Sequence, residues 1–199
     1  MRFDATTGGR TLSGNMTGGN KFYDLVFNGS GGGWSFGTSS AEVINDMTIT
    51  NGSVTGPSTS LILTGNYVNT ATYVHNSGTI VFNATTSKAI TQGVSSPFHH
   101  VTFNGNGGTW VFQTNAAIMN GDLVMIDGTL NNSVDITVNG SVQCSGTCGT
   151  ITATNTFTQE VSSNKAFGTN AAVATVWSFH DLVFRASANI PTITFKRSG

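Results

Sequence analysis

Short runs of β-branched, aromatic and threonine residues alternate with polar residues along the chain, and each run closes on Asn-Gly, Asp-Gly or a similar pair. Such residues suit a pleated, half-buried strand, and Asn-Gly supplies the positive φ that a tight turn needs. The runs recur on average every ~19 residues. They lie at 25–29, 48–52, 61–65, 79–83, 102–105, 124–128 and 136–140. No window shows a 3.6-residue apolar period, so no helix is predicted.

The chain also repeats over a longer distance. The phrase Phe-Tyr-Asp-Leu-Val-Phe-Asn-Gly at 22–29 returns as Phe-His-His-Val-Thr-Phe-Asn-Gly at 98–105, and as Phe-His-Asp-Leu-Val-Phe at 179–184. Trp-Ser-Phe at 34–36 returns as Trp-Val-Phe at 110–112, with the same offset as the first two phrases. We therefore predict one elongated repeat domain over 1–199. It holds a partial copy at 1–21, copies at 22–97 and 98–178, and a partial copy at 179–199.

Two all-β architectures fit this pattern. Consecutive runs pair antiparallel in a β-sandwich, whereas in a parallel β-helix, or β-solenoid, each run belongs to one coil and equivalent strands stack about 4.8 Å apart. The constant long period favours a solenoid with coils of ~19 residues and a higher-order repeat of ~77 residues. The residues predicted to point inward are Leu25, Phe27, Trp34, Phe36, Ile49, Leu61, Leu63, Ile80, Phe82, Val101, Phe103, Trp110, Phe112, Leu123, Ile136, Val138 and Ile151.

Charge is scarce. Only 9% of the 199 residues are Asp, Glu, Lys or Arg, and 8 cations face 9 anions for a formal net charge of -1. That balance excludes the basic surface of a nucleic-acid binder, and no apolar run approaches the length of a membrane span. Stacked coils bring equivalent positions within one strand spacing, where like charges repel and Thr, Ser and Asn do not. The composition therefore agrees with a solenoid.

These phrases resemble the β-strand repeat regions, or β-solenoid regions, of bacterial secreted and cell-surface adhesin-like proteins. There a phrase like 22–29, followed by a Gly-rich turn and Trp34-Ser35-Phe36, recurs beside phrases like 46–52. The resemblance implies an extracellular or cell-surface structural spacer, cut from a longer repeat protein. Carbohydrate-binding modules and polysaccharide-acting β-helix enzymes are the alternative interpretations, and an ice-binding face of stacked threonines is a third.

Self-association is the partner interaction that this architecture predicts. A piece of a repeat array exposes unpaired strand edges at both ends, and such edges recruit one another. We therefore expect the protein to associate end to end. A glycan is a further candidate partner, whereas a nucleic acid and a membrane span are not expected.

His99, His100 and Asp122 are the weak catalytic candidates. The separation between His100 and Asp122 is close to one coil, so neighbouring coils set them side by side. A histidine paired with a carboxylate is the minimum for general base catalysis. However, His99 and His100 occupy the repeat positions of Tyr23 and Asp24, which favours variation at one repeat position over an assembled site. No catalytic residue is assigned.

Cys144 and Cys148 enclose Ser-Gly-Thr where the second copy is four residues shorter than the first. A disulfide that pins this shortened loop is the favoured interpretation, and it fits an oxidising compartment. Free thiols and a metal site are the alternatives, although no further Cys or His is spaced to complete a metal site. No metal and no cofactor are predicted.

Four aromatic side chains are the weak ligand-binding candidates. Trp34, Trp110, Tyr67 and Tyr73 would stack on sugar rings if they were exposed. The two tryptophans recur where a core residue would, so burial is the favoured interpretation.

Overall fold

A computed structural model describes residues 1–169, 176–186 and 191–196. Within these ranges the chain forms 19 strands and one 3-10 helix, Gly18–Asn20. The strands are Arg2–Phe3 (β1), Arg10–Thr11 (β2), Leu25–Ser35 (β3), Ala41–Val43 (β4), Met47–Thr55 (β5), Ser60–Leu63 (β6), Tyr67–Asn69 (β7), Thr72–Val74 (β8), Thr79–Phe82 (β9), Ser87–Thr91 (β10), His100–Phe112 (β11), Ala117–Met119 (β12), Leu123–Asn132 (β13), Ile136–Val138 (β14), Val142–Cys144 (β15), Thr150–Val161 (β16), Lys165–Thr169 (β17), Trp177–Ala186 (β18) and Ile193–Lys196 (β19).

All the described strand pairs are parallel, and the strands wind into a β-solenoid of about eight coils. The predicted solenoid is confirmed, and the antiparallel sandwich is excluded. The coil is longer than predicted, at about 21 residues instead of 19. Register steps between stacked residues vary from 19, between Leu61 and Ile80, to 28, between Lys165 and Ile193. Averaging turn motifs along the sequence hides this variation, because the loops between strands differ in length.

Each complete coil contributes to three columns of stacked strands. Strands β3, β5, β11, β13, β16 and β18 are long enough to supply two columns, and register shifts interrupt their pairing where the chain passes from one column to the next. The first column includes Leu25, Met47, Tyr67 and Ile90. The second column includes Trp34, Val54 and Tyr73. The third column includes Leu61, Ile80, Val101, Leu123 and Val142.

Repeat-equivalent residues share their local packing but not their column. Phe27 is in register with Ile49 in the first column, whereas its counterpart in the next copy, Phe103, is in register with Phe82 in the third. Yet Phe3 stacks on Phe27 at 5.2 Å between ring centroids, and Phe82 stacks on Phe103 at 5.3 Å. The repeat of ~77 residues corresponds to about 3⅔ coils of the observed length. The copies are therefore rotated about the solenoid axis by one column.

One hydrophobic core runs through the stack, from Leu12 to Phe167. All seventeen residues predicted to point inward are buried. The corners explain why glycine closes some of the turn motifs. Gly128 has a φ of +77°, and a Cβ there would lie 2.6 Å from both the Gly105 carbonyl oxygen and Trp110. Glycine is the residue that allows both the left-handed backbone and the close approach.

Candidate functional site

Neighbouring coils bring His100 and Asp122 together, as their spacing predicted. The backbone N–H of Asp122 donates to Nδ1 of His100 at 2.9 Å, while the nearer carboxylate oxygen, Oδ2, lies 3.9 Å from the same nitrogen. Since Nδ1 accepts the backbone N–H, it does not donate a hydrogen bond to the carboxylate. The pair therefore lacks the contact by which a carboxylate orients a histidine for general base catalysis.

The repeat supplies the reason for this geometry. Oδ1 of Asp24 accepts the backbone N–H of Asp46 at 3.2 Å, and Oδ1 of Asp46 accepts the backbone N–H of Asn66 at 2.8 Å. His100 occupies the position of Asp24, and its Nδ1 accepts the N–H of Asp122 in the same way. These side chains are acceptors that tie a corner of one coil to the next. The interpretation of His100 as a variant of one repeat position agrees with this shared role.

His75 was missed by the sequence reasoning and completes a cluster with His99 and His100. Its ring centroid lies 4.9 Å from that of His99, which lies 4.1 Å from that of His100. All three residues are half-buried. His75 precedes His99 by roughly one coil, and that spacing was the available signal. These three residues are called the histidine cluster below.

The surroundings of His75 and His99 disfavour the charged form of each ring. Burial lowers the pKa of His75 from its usual value, and the positive charge that His100 carries when protonated lowers it further. Burial is also the main cause that lowers the pKa of His99, followed by the charges of His100 and His75. Over the ranges that the structure describes, no group of three or more His, Cys, Asp or Glu side chains is arranged to hold a metal ion.

The four candidate aromatic residues belong to the core. Trp34, Trp110, Tyr67 and Tyr73 are all buried, so none presents a free ring face to a sugar. Burial raises the pKa of both tyrosines, and at Tyr67 the charge of ionised Tyr73 adds to the effect. Their role is packing, since the two tyrosine rings lie 6.1 Å apart, edge to face, inside the stack.

Cys144 ends strand β15, and Cys148 lies in the loop that follows. Their Cα atoms are 5.1 Å apart, a separation that a disulfide spans, and the structure joins the two sulfurs. Both residues are buried. The Cα separation is therefore compatible with the predicted bridge.

Three surface clefts have volumes of about 300, 340 and 290 Å³. The largest is lined by residues of the 92–97 loop together with Asn115, Ala116 and Ile118. None of these three clefts is lined by a carboxylate, or by His100. Cleavage of a glycosidic bond usually needs two carboxylates that flank the bond, so these clefts do not support the polysaccharide-cleaving alternative.

Thr48 and Thr152, which belong to two of the Thr-x-Thr phrases, do not stack on threonines as an ice-binding face would need. Thr48, in the Thr-Ile-Thr phrase of β5, is in register with Val26 on one side and Val68 on the other. Thr152 of the Thr-Ala-Thr phrase likewise lies between Asn131 and Ser178. At these two phrases the structure gives mixed columns.

No protein-family model, no curated protein and no solved structure matches this chain. In the part that the structure describes, there is no helix long and apolar enough to cross a membrane. The function proposed below therefore depends on the geometry of the chain and on its sequence.

Proposed function

We propose that this chain is a rigid structural segment that spaces or connects other parts of a secreted or cell-surface protein. The observation that carries the proposal is the stack of parallel strands around one core in the described residues. Such a stack resists bending because each coil is hydrogen-bonded to the coils before and after it.

The polar side chains outside the core also act along the solenoid axis. The Asn51 side-chain amide donates to Oδ1 of Asn28 at 2.7 Å, and the Ser40 hydroxyl donates to that of Thr59 at 3.0 Å. These residues are 23 and 19 apart, so each bond joins neighbouring coils. Polar groups that stack in this way strengthen the column, whereas a catalytic site needs groups that converge on one point.

An extracellular location is part of the proposal. It is supported by the resemblance to bacterial surface repeats and by the paired position of Cys144 and Cys148. Disulfides form and persist in oxidising compartments.

End-to-end association is the interaction that the fold favours. Among the described strands, β1 pairs with β3 alone, and β19 pairs with β17 alone. Phe195 of β19 is 65% exposed, so the last described coil also leaves apolar surface uncovered. A second copy that adds a coil would satisfy both the strand edge and this surface.

Spin labels test the rigidity. Thr48 and Thr154 lie five coils apart on the outer side of the first column, through positions 68, 91, 113 and 133. Five spacings of about 4.8 Å place the two backbone sites about 24 Å apart. With Cys144 and Cys148 replaced by serine and Thr48→Cys and Thr154→Cys labelled, we expect one narrow distance distribution.

The control is the same labelled protein in denaturant, where the distribution should broaden. A broad distribution in buffer would contradict a rigid spacer.

Light scattering over a hundredfold concentration range tests the association. We expect the apparent mass to rise with concentration, and to rise less for Phe195→Pro, which removes an N–H on the unpaired side of the edge strand β19 together with its exposed ring. Val94→Lys, an exposed change in the middle of the stack and away from both ends, is the control.

A further inference from the structure

Two hydrogen bonds at the histidine cluster require neutral imidazole. The backbone N–H of Ser77 donates to Nδ1 of His75 at 2.9 Å, and the backbone N–H of Asp122 donates to Nδ1 of His100 at 2.9 Å. A proton on either Nδ1 removes the acceptor and sets two donors against each other. Both hydrogen bonds fix the position of a backbone N–H group. The bond to His75 closes the turn after β8, and the bond to His100 joins its coil to the next coil.

We infer that the histidine cluster is an acid-sensitive contact, which holds these coils together at neutral pH and opens them locally below about pH 6. It acts through loss of the two Nδ1 acceptors and through repulsion between imidazolium rings in contact. The inference concerns regulation of the stack and does not require the spacer function to be correct.

The charged groups around the cluster do not cancel this repulsion. In the described part of the chain, the titratable groups that interact with the cluster are its own three histidines and Asp122, whose carboxylate oxygen lies 3.9 Å from Nδ1 of His100. The side-chain amide of Asn120 contacts Nε2 of His75 at 3.3 Å and carries no charge. One carboxylate, itself more than a third exposed, faces up to three positive rings. An ion pair this exposed contributes little.

The direction of the pH effect follows from linkage. The pKa of His75 and of His99 is lower in the folded protein than the usual value near 6.5, so the unfolded chain binds more protons in this range. The stabilising effect is complete above about pH 6.5 and is lost as the pH falls from there through the lowered folded-state values. The lowered pKa values therefore add to the loss of stability at low pH that is expected when the two Nδ1 acceptors are protonated.

Two other places in the molecule provide controls for the histidine cluster. At the equivalent corner the acceptor is a carboxylate, since Oδ1 of Asp24 accepts the backbone N–H of Asp46. The His100→Asp variant therefore keeps the acceptor and removes its sensitivity near pH 6. His180, which is exposed and lies 3.1 Å from Asp181 on the last described coil, provides a histidine outside the cluster.

Thermal unfolding at pH 7.5 and pH 5.0 tests the inference. Loss of two hydrogen bonds is expected to lower the Tm of the wild type by about 4–8 °C over this interval in a chain of this length. The double variant His75→Gln, His100→Asp should lose less than half as much, and His180→Gln should behave as the wild type. An equal loss in the wild type and the double variant would overturn the inference.

Hydrogen exchange on the wild type gives a readout that does not depend on the variants. Rates are divided by the intrinsic rate at each pH. Peptides over 75–79 and 120–124 should then lose protection at least tenfold between pH 7.5 and 5.0, while a peptide over 44–48 keeps it. Equal changes at the two corners would overturn the inference even if the double variant failed to fold.

Discussion

Truncation of Phe103 to alanine is the most direct test of the stacked core. Phe103 is buried in the third column, in register with Phe82 on one side and Met125 on the other. Its ring stacks on Phe82 at 5.3 Å and lies 4.9 Å from the ring of Trp110. The β-strand neighbours fix the backbone on both sides, so the structure has little freedom to close the space left by the ring.

The expected cost follows from this packing. Removal of a fully buried phenylalanine costs about 3–5 kcal/mol, which lowers the Tm by about 6–20 °C for a chain of this size. Phe3 stacks on the same kind of partner, Phe27, but lies in the first coil and is only half-buried. We expect Phe3→Ala to cost about 1–2 kcal/mol. Phe195 is mostly exposed, and Phe195→Ala should cost less than about 0.5 kcal/mol.

Urea unfolding followed by circular dichroism measures the three variants against the wild type. The order of loss should be Phe103, then Phe3, then Phe195. If Phe103→Ala were as mild as Phe195→Ala, the interior of the stack would not be the source of stability, and the core described above would be refuted. A similar cost at Phe3 and Phe103 would contradict the expectation that a coil with neighbours on both sides is held more tightly than a terminal coil.

Three further changes test the corners and the loop. Gly128→Ala should cost about 2–4 kcal/mol because of its φ of +77° and the 2.6 Å contacts, whereas Gly37→Ala, with a φ of +58° and open space, should cost about 1 kcal/mol. Equal costs would show that the close approach is irrelevant. In the same denaturation assay, Asp46→Ala should cost about 1–3 kcal/mol and Asp46→Asn clearly less, since the amide oxygen still accepts from the next coil. Reduction of the Cys144–Cys148 bridge should lower stability by about 2 kcal/mol. Two free thiols found in the unreduced protein by mass spectrometry would show that the predicted disulfide is wrong.

The number of residues between two positions predicted which side chains meet across neighbouring coils. It placed His100 beside Asp122, because a parallel stack repeats with nearly constant residue number. It did not find His75, since no motif marks the turn that carries it. It also gave no reason to expect that Nδ1 of His100 accepts a backbone N–H, because that depends on the orientation of one ring at a corner.

The sequence alone determined the strand content, the inward-facing residues and the scarcity of charge, because these follow from local alternation and from the cost of stacking like charges. Only the tertiary structure decided the coil length of about 21 residues and the three columns. The loops set how much chain each coil uses, and backbone hydrogen bonds between coils set the register. As a result, Phe27 and Phe103 have equivalent surroundings on different sides of the solenoid, which the sequence repeat does not reveal.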